Sequence, residues 1–130
     1  GLAVDNLEEA RTFFSENFGL STSERENFGE LIFSFVPMKG TNLELLQSTE
    51  SEGQIAKFIQ KRGQGIHHIS FEVDDIQSEL DRLKGNGIKL INDKPYLNAH
   101  KDLVAFIHPK STFGVLIELI QKRKSDSEGP

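Results

Sequence analysis

The chain has 130 residues, no cysteine, and 15 basic against 20 acidic residues, which gives a net charge of −5. This length predicts one domain, and the lack of cysteine excludes disulfide scaffolds, thiolate metal sites and cysteine nucleophiles. The acidic balance argues against nucleic-acid or membrane partners, and the absence of a long apolar run or signal-peptide pattern favours the cytoplasm or the mitochondrial matrix.

Three helices are predicted from capping residues, apolar periodicity and terminal glycines. The first is capped by Asn6, has Glu9 at the spacing of a capping box and ends at Gly19. The other two are expected from about Gln54 to Arg62 and from about Asp75 to Gly85.

Short apolar runs bounded by Gly, Pro, Asn or Asp predict strands around these helices. They are Leu2 to Val4, a weaker polar strand from Thr22 to Glu26, Leu31 to Val36, Leu43 to Leu46, Ile66 to Val73, Ile88 to Ile91, Leu103 to Ile107 and Val115 to Ile120. The charged tail, residues 122–130, is expected to be mobile.

The order strand, helix, three strands occurs twice, and the two halves also match in sequence. Val4 and Asp5 match Val73 and Asp74 at an offset of 69 residues, whereas Glu44 matches Glu118 at an offset of 74. Such a drift is what insertions in turns produce. The sequence therefore predicts an α+β fold of two tandem βαβββ modules, at about residues 1–48 and 65–121, joined by a linker helix at about residues 52–63.

Glu44 and Glu118 each stand inside an otherwise apolar strand. A buried, unpaired carboxylate costs several kcal/mol, so a solvated, outward-facing residue is the simple interpretation of either one alone. Because both occupy the same place in the two halves, a functional site is favoured.

His68 is predicted to face the interior of the sheet, on the side opposite to His67, because side chains alternate along a strand. One imidazole with two carboxylates forms a recognised set of ligands for a divalent metal ion. By the repeat, the counterpart of His68 would lie two residues before Gly1; alternatively, the first half never had this ligand.

Several segments resemble the methylmalonyl-CoA epimerases of the vicinal oxygen chelate superfamily, which also includes glyoxalase I and bleomycin-resistance proteins. They are the GIHHI, HPKS and VLIEL segments that begin at Gly65, His108 and Val115. The resemblance extends from Gly1 to about Gln121. It implies a single domain whose modules form a cupped, barrel-like mixed sheet with helices outside, and it implies a homodimer.

The resemblance also implies ligands for a divalent ion (cobalt, manganese, zinc or nickel), namely His68, Glu44 and Glu118. Glu118 is then the base that removes the α-proton, and the resulting enolate is expected to be stabilised by the metal ion. The second acid/base of some relatives falls at Ile32, and Glu30, which is two residues away and is predicted to lie on the same strand face, could serve in its place.

For substrate binding, the resemblance points to Lys110 and Ser111. The implied reaction interconverts the 2R and 2S forms of methylmalonyl-CoA. Two alternatives remain open. One is a glyoxalase-like, metal-dependent lyase or isomerase, and the other is a non-catalytic protein that binds a small molecule.

Overall fold

The computed structural model describes residues 1–124, which have nine strands and three helices and so confirm the α+β class. In chain order these elements are β1 (Leu2–Ala3), α1 (Leu7–Phe18), β2 (Glu26–Phe28), β3 (Leu31–Met38), β4 (Thr41–Ser48), α2 (Gln54–Arg62), β5 (Gly65–Ile66), β6 (Ile69–Glu72), α3 (Ile76–Gly85), β7 (Tyr96–Leu97), β8 (Leu103–Ile107) and β9 (Ile117–Gln121). The chain divides into two compact units, unit 1 from Gly1 to His67 and unit 2 from His68 onward. Of the predicted mobile tail, residues 125–130 lie outside the described residues.

Unit 1 is a five-stranded mixed sheet with one helix on each face. Its strand order is β2-β3-β4-β1-β5, with β1 and β4 parallel. Helix α1 buries Leu7 against Val36 and Leu45 on one face. On the other face, Ile55 of α2 packs with Phe33 of β3.

Unit 2 is a four-stranded mixed sheet that α3 covers on one face. Its strand order is β6-β9-β8-β7, with β6 and β9 parallel. Ile76 and Leu80 of α3 pack against Ala105, Ile107 and Leu119. No helix in residues 1–124 is long and apolar enough to cross a membrane.

The internal repeat is visible in individual hydrogen bonds. The side chain of Asn6 accepts from the backbone N–H of Glu9, so the predicted cap is confirmed, and Asp75 caps α3 in the same way by accepting from the N–H of Ser78. The first residue of each of these helices then donates its backbone N–H to a glutamine from the last strand of its own module. Leu7 donates to Gln47 Oε1 at 2.7 Å, and Ile76 donates to Gln121 Oε1 at 2.9 Å.

The predicted strand from Ile66 to Val73 is wrong as one element. The structure breaks it at His67 and His68, so that β5 pairs with β1 in unit 1 and β6 pairs with β9 in unit 2. Side chains therefore do not alternate between the two faces of one strand at His67 and His68. The prediction that the two histidines face opposite sides had assumed such an alternation.

The predicted strand from Ile88 to Ile91 is also absent from the described residues, although this segment lies beside β8. A single bridge joins Leu90 to Ile107, and Asn92 Oδ1 then accepts the backbone N–H of Phe106 at 2.8 Å. Because the Asn92 side chain accepts the N–H of Phe106, this N–H cannot donate to the backbone of a further strand residue. The second strand of the second module is instead β7, which the sequence did not predict.

The two glutamine bonds predict the effect of removing them. Gln47→Ala and Gln121→Ala should each lower the free energy of unfolding by about 1 to 2 kcal/mol, because a partly buried N–H loses its acceptor. Urea denaturation measures this change. Gln54→Ala is the matched control, since Gln54 is exposed, and equal losses in all three variants would contradict the assigned role of the two bonds.

Candidate functional site

The face of the unit 2 sheet opposite α3 carries polar and aromatic side chains. Leu119 and Ala105 point to α3, so their strand neighbours Glu118 and Phe106 project from the other face. Glu118 stands beside Ser70 on β6 and beside Phe106 on β8. The strand register therefore gathers one carboxyl, one hydroxyl and one aromatic ring.

Glu118 is half-buried, and its environment changes its acidity. Burial raises the pKa of the Glu118 carboxyl above its usual value because desolvation disfavours the charged form. A hydrogen bond from the Ser70 hydroxyl and the charge of Lys122 act in the opposite direction but do not cancel the effect. A carboxyl with a raised pKa is a stronger base once it has lost its proton, which suits proton abstraction.

Tyr96 on β7 belongs to the same environment. Burial raises the pKa of its phenol, and the negative charge of Glu118 raises it further. Tyr96 was not among the predicted site residues, because β7 was not predicted and no motif marks this residue. Its closeness to Glu118 follows only from the order of β7, β8 and β9 in the sheet.

His68 precedes β6 and is only 8% exposed. Its ring lies edge-on to Phe106, with ring centroids 6.1 Å apart and an angle of 85° between the planes. His67 lies instead in unit 1, where the centroid of its ring is 5.1 Å from the centroid of the Phe58 ring. Burial lowers the pKa of His67, which favours its neutral form.

Glu44 occupies in unit 1 the place that Glu118 occupies in unit 2. It is half-buried on β4, opposite Phe35, just as Glu118 is opposite Phe106. Leu43 and Leu45 pack towards α1, so Glu44 projects from the other face of the sheet. The equivalence inferred from the sequence repeat is therefore also an equivalence of strand register.

Glu30 lies outside the strands, in the exposed turn between β2 and β3. Its backbone carbonyl accepts hydrogen bonds from the N–H of Thr49 at 2.7 Å and from the Thr49 hydroxyl at 3.0 Å. The prediction that Glu30 shares a strand face with Ile32 is therefore wrong. Its role as an acid/base stays a prediction.

Lys110 and Ser111 lie in a short 3-10 turn after β8, Pro109–Ser111. The Ser111 hydroxyl oxygen accepts the backbone N–H of Lys89 at 2.9 Å. Lys110 is exposed, and its backbone N–H donates to Nδ1 of His108 at 3.0 Å. His108 therefore orders the turn, and the side chain of Lys110 is available to a ligand.

The predicted metal ligands have suitable donor atoms, one imidazole and two carboxylates. His68 and Glu118 belong to unit 2, whereas Glu44 belongs to unit 1. No three His, Cys, Asp or Glu side chains of residues 1–124 form a group that could hold a metal ion. The ligand set therefore stays a prediction.

Comparisons with known proteins agree with these features. The family model of the glyoxalase/bleomycin resistance protein/dioxygenase superfamily matches residues 1–106. The mitochondrial methylmalonyl-CoA epimerase of Dictyostelium discoideum is 37% identical, over 93% of this chain and 75% of its own length.

Two solved structures have a similar fold. A hypothetical protein from Bacillus halodurans C-125 has a TM-score of 0.92 at 36% identity and covers 96% of this chain and 92% of its own. A variant of Streptomyces coelicolor methylmalonyl-CoA epimerase, in complex with 2-nitronate-propionyl-CoA, has a TM-score of 0.89 at 25% identity and covers 100% of this chain and 94% of its own. With a family model over most of its length and a relative of such identity, this chain belongs to the methylmalonyl-CoA epimerases, an isomerase family of the glyoxalase/bleomycin resistance protein/dioxygenase superfamily.

Proposed function

We propose that this chain interconverts the 2R and 2S forms of methylmalonyl-CoA. The observation that carries the proposal is Glu118, a half-buried carboxyl with a raised pKa on an otherwise apolar strand. The family supports the substrate, because its Streptomyces member binds a CoA thioester.

The reaction requires a proton to leave and return at one carbon atom. In methylmalonyl-CoA this carbon lies between a thioester carbonyl and a carboxylate, which makes its hydrogen acidic. The Glu118 carboxylate takes the proton while the C–H electron pair moves onto the thioester oxygen, giving an enolate. The protonated second acid, for which Glu30 remains our candidate, returns a proton to the opposite face, and exchange with water restores both carboxyl groups.

We further propose that His68, Glu44 and Glu118 hold a divalent metal ion. When bound there, such an ion would act as a Lewis acid towards the oxygen atom on which negative charge develops. The chain's own contribution is the partial burial of Glu118, which raises the pKa of its carboxyl and makes the carboxylate a stronger base. Lys110 and Ser111 are proposed to bind the acyl-CoA, and the protein is proposed to be a homodimer.

Replacement of the base tests the proposed reaction. Glu118→Gln should lower the rate of deuterium incorporation at the α-carbon of methylmalonyl-CoA in deuterated water by about 100- to 10,000-fold, because an amide cannot accept the proton. Mass spectrometry of the recovered thioester measures the rate. The matched control is Glu72→Gln, which removes an exposed carboxylate from β6 and should leave exchange unchanged.

The wild-type protein decides the wider proposal. If the full-length, metal-loaded protein shows no exchange, then methylmalonyl-CoA epimerisation is wrong for this chain. If the wild type exchanges and Glu118→Gln is equally active, only the assignment of the base is wrong.

Metal binding has its own test, which does not depend on turnover. His68→Ala should weaken the binding of Co²⁺ or Mn²⁺ by more than about 100-fold. Loss of a residue that only supports a metal ligand lowers metal affinity by about 10- to 100-fold, and loss of the ligand itself should lower it more. Titration calorimetry measures the affinity. His100→Ala is the control, since His100 lies in the turn between β7 and β8. Equal affinities of wild type and His68→Ala would remove His68 from the ligand set.

The hydrogen bond from Ser70 predicts a shift in the acidity of Glu118. Because this bond favours the charged carboxylate, Ser70→Ala should raise the pKa of Glu118 further, and less of it would be ionised at any given pH. Carbon-13 NMR of the carboxyl in chelator-treated protein measures this pKa without a metal ion. Ser70→Thr keeps the hydroxyl and should restore the wild-type value, whereas an unchanged pKa in Ser70→Ala would contradict the bond's role.

A further inference from the structure

Phe113, in the loop between the 3-10 turn and β9, is held in an unfavourable conformation and is fully exposed. Its backbone φ is 60°, in the left-handed region that bulky side chains rarely adopt. The ring gains nothing from burial in return. A strained, exposed aromatic residue calls for a functional explanation, because both features act against stability.

Hydrogen bonds hold the backbone of the loop around Phe113. The backbone N–H groups of Thr112 and Gly114 both donate to the carbonyl of Pro109, at 3.0 and 2.9 Å. The Thr112 hydroxyl also donates to the carbonyl of Val115. These bonds hold the backbone on both sides of Phe113, whose side chain projects into solvent.

The same loop is positively charged. Lys110 is exposed three residues before Phe113, and Lys89 is joined to the loop through the Ser111 hydroxyl. Neither lysine belongs to a salt bridge within the described residues, and residues 103–117 contain no Asp or Glu. An exposed aromatic ring on the same loop as a lysine without a salt bridge suits a ligand with a planar base and phosphates.

The position of the loop relative to Glu118 narrows the choice of ligand. Glu118 follows Phe113 by five positions in the chain, so at most about 18 Å of chain joins them. A CoA thioester has an arm of comparable length between its reactive carbonyl and its nucleotide. We propose that Phe113 stacks on the adenine of the acyl-CoA, with Lys110 close to the phosphates, so that this loop selects CoA thioesters over shorter ones.

The proposal names a ligand for the proposed function and rests on it, so its first test is binding and needs no turnover. Phe113→Gly should weaken the binding of free CoA by about 5- to 10-fold, the lower end of what stacking of a base on an aromatic ring contributes. Pantetheine, which lacks the nucleotide, should bind wild type and variant equally. Calorimetry with both compounds measures the two affinities.

Phe113→Gly separates loss of binding from loss of folding. Glycine adopts a φ of 60° without strain, so the variant should unfold at a higher urea concentration than the wild type while it binds CoA less well. Phe113→Tyr keeps a ring and should restore CoA affinity. Phe18→Ala removes an exposed ring from α1 and should leave CoA affinity unchanged.

Kinetics provide the second test. With methylmalonyl-CoA, Phe113→Gly should raise KM about 5- to 10-fold and leave kcat unchanged, whereas both constants for methylmalonyl-pantetheine should match the wild type. Unchanged CoA binding in Phe113→Gly, or an equal loss with the shortened compounds, overturns the proposal. A wild type that turns over neither thioester overturns the proposed function alone, because the binding test of Phe113 still stands.

Discussion

The bond between a glutamine and the first turn of a helix is the constraint on which each module depends. Gln47 and Gln121 fix the starts of α1 and α3 relative to the last strand of their own module. Glu44 and Glu118 stand three residues earlier on those strands, which is an odd spacing, so each glutamate faces away from the helix that the glutamine holds. A slip of one residue in strand register would turn the carboxylate towards the helix and the glutamine away from it. One hydrogen bond thus couples the packing of the helix to the orientation of the candidate catalytic group.

The elements that the sequence predicted well are those specified by local signals. The start of α1 depends on Asn6 and its end on Gly19, and both lie within a few residues of what they control. The wrong predictions concern segments whose secondary structure is determined by hydrogen bonds to residues far away in the sequence. The run from Ile66 to Val73 has the composition of one strand, but its two ends bond to different sheets. No local pattern distinguishes that outcome from a continuous strand.

The residues of the candidate site also fall into those that the sequence identifies and those that only the strand order brings together. Glu118 could be singled out as a candidate site residue, because a carboxylate in an apolar strand is conspicuous and Glu44 occupies the same place in the first module. Ser70 and Tyr96 could not be singled out, because their closeness to Glu118 comes from strand order and not from spacing along the chain. Glu30 shows the limit of reasoning from alternation, which holds only within a strand; Glu30 lies just outside β3, in a turn.

Departures from the repeat are as informative as its matches. In the first module, β3 and β4 are joined by a tight turn in which Gly40 adopts the positive φ that the turn needs. In the second module the equivalent connection, from β8 to β9, is longer and places Phe113 in that region of φ as well as Gly114. Folding alone requires no such insertion, since the first module closes the same pair of strands without it. On the proposed role of Phe113, the extra residues serve the binding of the acyl-CoA, and the strain at Phe113 is the local cost of presenting an aromatic ring on the same loop as Lys110.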